Sequence, residues 1–235
     1  GTSLPFTIKD SGSYEVRVTD NVGHSVTKTL KDLTNVDVDS ILVDNFAPVV
    51  KASIEGSDVK NTWYKDTAKL VLKSSDVSPL KNVEATANGV DLGKGVSTDT
   101  TNKIEVNLEN YVDNNGFVKI VYKVMDYAGN EEVYRKTIKV DTKNPVIDNG
   151  NITGTVYVKD KVGYANDDIV LSANTSDLES GVARVDIFKD ENVVSNSLPY
   201  TIKDSGSYKV RVIDNVGHSI TKTLKELTGM DIDRV

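Results

Sequence analysis

YKVRVIDNVGHSITKTL, residues 208–224, is the stretch on which the fold turns. Tyr208, Val210 and Val212 alternate with Lys209 and Arg211, the pattern of a strand with one buried face. The run is then broken by Asp214-Asn-Val-Gly217. Glycine tolerates a positive φ there, and an aspartate can accept from its own backbone two residues on. A second strand follows from Ser219 to Leu224, so the segment predicts an antiparallel hairpin.

The hairpin belongs to a repeat. Residues 3–41 recur as residues 197–235 without a gap, at 29 identical positions of 39. A weaker copy lies between them, where Ile120, Tyr122 and Val124 take the inward places and Asp126-Tyr-Ala-Gly129 makes the turn. Pro48 and Pro145 close the first two copies 97 residues apart. Upstream, Trp63-Tyr64, Lys69–Lys73 and Asp76 align with Tyr164, Ile169–Ala173 and Asp177. Further strands are expected at 83–87 and 182–188, and residues 30–39 have room for one short helical turn. About seven short strands in some 95 residues describe a two-sheet sandwich. The expected units are 1–47, the C-terminal half of a module; 48–144, a complete module; and 145–235, nearly complete, with its last strand cut short.

Composition narrows the function. The chain has 235 residues, a net charge of −7 and no cysteine, which removes disulfide frameworks and thiolate metal sites. There is no Lys/Arg run of the kind that follows a phosphate backbone, so no nucleic-acid partner is expected. There is no apolar stretch near the roughly 20 residues of a spanning helix, so no membrane insertion is expected either. The chain opens part-way through a repeat, which reads as an excerpt of something longer, with Gly1 a cloning remnant.

The order Gly-x-Tyr-x-Val-x-Val, Asp-x-x-Gly-Asn/His and Val-Asp-x-x-x-Pro, with Ser176-Asp-Leu-Glu-Ser-Gly-Val182 upstream, resembles the bacterial Ig-like domain repeats of Gram-positive cell-surface and secreted proteins. The resemblance implies an all-β fold of tandem immunoglobulin-like β-sandwich domains arranged as an elongated rod, outside the cell. It implies a non-catalytic stalk or spacer. The alternatives are an adhesin or carbohydrate-binding module, or accessory domains of a large secreted glycosidase. The implied partners are neighbouring modules of the same chain, with a host matrix protein or glycan under the adhesin alternative.

No catalytic, cofactor-binding or metal residue is assigned from the residues themselves. His24 and His218 occupy the same turn position in equivalent repeats, where Asn130 also serves, so they read as turn residues rather than as metal ligands or pH sensors. Asp20, Asp126 and Asp214 read as caps of their own turns. Asp37, Asp39, Asp44 and Asp141 gather before module boundaries, where a calcium ion held by Asp141, Asn144 and a neighbouring turn is the one metal alternative. Of adjacent Trp63 and Tyr64, one is expected in the core and the other on the opposite face as a stacking platform, while Tyr164 is expected to pack. Residues 3–47 expose Phe6, Ile8, Tyr14, Val16, Val18 and Val26 without covering strands, so either pairing with strands of another copy or the loss of upstream residues is expected there.

Overall fold

The computed structural model describes residues 4–235; Gly1, read as a cloning remnant, and Ser3, the first residue of the repeat, lie outside them. The fold is all β. In the middle of the chain one sheet runs in the order Val49–Glu55, Lys69–Ser75, Thr101–Asn107 and Val96–Ser97. The other runs Tyr64–Lys65, Glu131–Asp141, Phe117–Asp126, Leu80–Ala87 and Val90–Asp91. All pairs are antiparallel except Tyr64–Lys65 with Val140–Asp141. Alternation on the two inner faces supplies the core: Leu70 and Leu72 from the first sheet, Ile120, Tyr122 and Val124 from the second. Tyr122 is buried with its hydroxyl satisfied, 2.7 Å from Ser74 Oγ and 2.9 Å from Asn102 Oδ1, which removes the penalty of an orphaned polar group.

A second set of sheets follows. Val146–Thr153, Ile169–Ser176 and Tyr200–Ile202 face Asn192–Ser195, Val182–Lys189, Tyr208–Asp214 and Ser219–Thr223. Between them lies a separate core that includes Ile147, Leu171, Ile187, Tyr208, Val210 and Val212. The helical turn Leu224–Thr228 closes it with Leu224 and Leu227. Thr223 and Glu226 cap one another's backbone at its start, and Gly229, at φ 70, ends it.

The same turn forms at Leu30–Thr34, with Thr29 and Asp32 in the capping roles. There it covers nothing. The hairpin Glu15–Thr19/Ser25–Thr29 pairs as its later copy does, and Gly12 bridges Ile41 as Gly206 bonds Val235. Phe6, Val18, Val26 and Leu33 nevertheless stay exposed. The repeat thus keeps its local geometry without its cover.

The aromatics depart from expectation. Trp63 is buried, but apart from the main core, stacked on Phe117 at 6.0 Å with Lys139 Nζ 5.5 Å from its ring centre. Gly116 makes this close approach feasible: at φ 82, a Cβ there would stand 2.4 Å from the indole. Tyr64 is half-buried against the core, so neither residue is an exposed platform. Tyr164, expected to pack, is exposed instead. It pairs with Tyr157, also exposed, across the hairpin Tyr157–Lys159/Val162–Tyr164, a two-stranded sheet of its own.

On the outward face of the later sandwich, Asp186 is buried beneath Arg211 (2.7 Å), Arg184 (3.0 Å) and Asn196 (2.6 Å), and Arg211 lies over Phe188. Burial pushes its carboxyl up, but the Arg211 hydrogen bond, the Arg184 charge and Asn196 hold it below the usual carboxylate range on balance. A depressed folded value means that stability is present above about pH 4 and is lost as pH falls through the folded value. Asp186→Ala is expected to cost about 1–3 kcal/mol at pH 7. The cost should shrink as the pH drops towards 2, as read from urea melts at both pH values.

Candidate functional site

Each sandwich brings its turn aspartate to one end beside the aspartate that closes the preceding segment. At the first such end, Asp44, Asp76 and Asp126 come together, their nearest carboxylate oxygens within 4.8 Å of one another. Each accepts local donors. Asp126 takes the backbone N–H and the side-chain amide of Asn130, both at 2.9 Å, and Asp76 takes Ser78 N–H at 2.8 Å. The Ser78 hydroxyl donates to Asp44, and with the Phe46 N–H it holds that carboxyl below its ordinary value. Asn130 also donates to the Asp44 carbonyl at 3.2 Å, tying the turn to the incoming segment. The turn aspartates do cap their own backbones, as read from the sequence.

The second end is built on the same plan with a different turn residue. Asp214 Oδ1 accepts from Val216, Gly217 and His218 N–H at 2.7–2.9 Å. Asp141, wholly buried, accepts from Ser180 N–H at 3.1 Å and Lys143 N–H at 3.0 Å. Burial pushes its carboxyl up, but the Ser180 side chain, the Lys143 N–H and Glu179 bring it below the ordinary value. His218 stands between the two aspartates. Its Nδ1 is 3.1 Å from Asp214 Oδ2 and 3.5 Å from Asp141 Oδ1, and its Nε2 is 3.4 Å from Asp66 Oδ2.

This corrects the reading of His218 as a plain turn residue. The turn lies at the end of its sandwich, where the end of the preceding one arrives, so the imidazole is 9% exposed and lies among carboxylates from both sides. His24, in the uncovered copy, keeps the partner at 3.1 Å from Asp20 but is 86% exposed. Asn144, expected to join the boundary set, is exposed.

Other groups cross the same boundary. Thr142 N–H donates to Glu179 at 2.8 Å, Lys143 pairs with Glu179 at 2.6 Å, and Asn61 Nδ2 lies 3.3 Å from the Ser180 carbonyl. Asp66, Glu179 and Ser180 carry no periodicity that would single them out. Asp76 and Asp177 are visible in the sequence only as alignment marks.

No protein-family model matches the chain, and no curated protein does. Solved structures do. Fibronectin(III)-like modules of CbhA from Clostridium thermocellum are similar over 74% of this chain and 91% of theirs, at 13% identity and a TM-score of 0.34. A Ca2+-stabilized adhesin with which an Antarctic bacterium binds ice is similar over 91% of this chain, at 14% identity and a TM-score of 0.39. A 1.5-MDa bacterial ice-binding adhesin is similar over 77%, at 16% identity and a TM-score of 0.38. The chain spans 55% and 64% of the two adhesin chains.

Among the described residues, no helix is long and apolar enough to cross a membrane.

Proposed function

We propose that the chain is a non-catalytic spacer of tandem Ig-like modules, divided near Pro48 and Pro145, in an extracellular bacterial protein, and that the modules stand end to end as a semi-rigid rod. The observation that carries this reading is the joint at residues 141–143. Polar groups from both sides meet there: the Thr142 N–H and the Lys143 ammonium with Glu179, and His218 with Asp66. Asp141 and Pro145 at the boundary are themselves buried, and a linker proline limits hinge motion through its fixed φ. Calcium at Asp44, Asp76 and Asp126 would stiffen the earlier end further.

Small-angle scattering tests the proposal. A rod requires a radius of gyration well above the roughly 17 Å of a compact globule of this length, and a value near 17 Å overturns it.

A second reading, adhesion to a glycan, is favoured by Tyr157 and Tyr164. Tyr164 also lines an open groove of about 440 Å³ with Asp167, Asp204, Lys203 and Arg234, a flat aromatic face beside polar groups. Binding on a glycan array that Tyr157→Ala and Tyr164→Ala both abolish is the expected result of that reading. An unchanged array signal in the two variants rejects it.

A further inference from the structure

We propose that His218, Asp141 and Asp214 form a binding site for a borderline divalent cation of the zinc type. The three donor atoms lie within 4.8 Å of one another, and Nδ1 stands 3.1 and 3.5 Å from the two carboxylate oxygens. A tetrahedral ion with bonds of about 2.0–2.1 Å holds its ligand atoms roughly 3.3 Å apart. The two imidazole–carboxylate separations therefore match such an ion, and the two carboxylates lie within 4.8 Å of one another.

A further observation points to a ligand. His218 Nε2 is buried without a hydrogen bond, with Asp66 Oδ2 3.4 Å away. Ligation through Nδ1 fixes the proton on Nε2 and aims it at Asp66, the carboxylate–histidine–metal arrangement that orients metal-bound imidazoles. Because Asp66 belongs to the preceding sandwich, loading the site draws the two sides of the joint together.

The choice of ion follows from the donors. Calcium and magnesium take oxygen, whereas a neutral imidazole suits zinc and its neighbours. The Asp44–Asp76–Asp126 end, with Asn130 at the turn, offers oxygen alone. The chain also carries its own control: His24 repeats the histidine–aspartate pair, exposed and away from any boundary aspartate in the described residues.

The test is calorimetric titration of the whole chain, stripped with a chelator, with Zn2+ at pH 7.5. The expected result is one site whose affinity falls at least about tenfold in His218→Asn and in Asp66→Asn, is kept in His24→Asn, and survives millimolar Ca2+. His218→Asn copies the residue that the other sandwich already carries, so its metal-free melt should stay within a few degrees of the parent. Cobalt(II) should give the visible absorption of a tetrahedral site in the parent and lose it in this variant. Equal zinc binding by parent and His218→Asn overturns the proposal, as does displacement of zinc by equimolar calcium. So does the absence of zinc binding by the parent.

Discussion

Leu72→Ala is expected to lower the stability of the residue 48–144 sandwich by about 2–5 kcal/mol while leaving the later one unchanged. Leu72 is fully buried on the strand Lys69–Ser75, facing Ile120, Tyr122 and Val124 across the core. Its truncation removes both the transfer energy of the lost methyls and the contacts around the cavity that remains. With a urea dependence of about 1–3 kcal/mol per molar, the midpoint should fall by about 0.7 M or more. The sole tryptophan, Trp63, stacks on Phe117 in the same sandwich, so its fluorescence reports this transition. An unchanged midpoint would mean that the strand does not face the core as described.

The repeat offers a second large effect with its own control. Val18 and Val212 occupy the same position of nearly the same sequence, yet Val18 is 60% exposed and Val212 is 0% exposed. Val212→Ala should cost about 2 kcal/mol, since two buried methylene equivalents and their packing are lost. Val18→Ala should cost less than about 0.5 kcal/mol, the range of surface substitutions. Equal costs would mean that residues 4–47 find a cover in solution, and light scattering of the parent would then show whether a second copy supplies it.

That contrast also marks how far the amino acids can be read alone. The inward places of the hairpin strands were legible, because alternation is a local property: Ile120, Tyr122 and Val124, and again Tyr208, Val210 and Val212, are all buried. The short helix needed only a closer look, since Thr223-Leu-Lys-Glu226 is itself a capping signature, though five residues are too few for helical periodicity. That Trp63 and Tyr64 are both covered is not legible, because the burial of Trp63 depends on Gly116 and Phe117, which no local pattern links to it. The module end was half legible. Asp126 and Asp214 were readable as turn caps, but the meeting of His218 with Asp66 and Asp141 depends on how successive sandwiches abut, which no spacing within one repeat encodes.

Each of the two complete blocks closes its own core. Following the unfolding of Ile187→Ala by Trp63 fluorescence and by far-ultraviolet circular dichroism tests this most directly, because Ile187 is buried in the later core and Trp63 reports the earlier one. The variant should lose about 2–5 kcal/mol in a dichroism transition of its own while the fluorescence midpoint stays in place. A fluorescence midpoint that moves together with the dichroism would mean one fused cooperative core, contradicting the account.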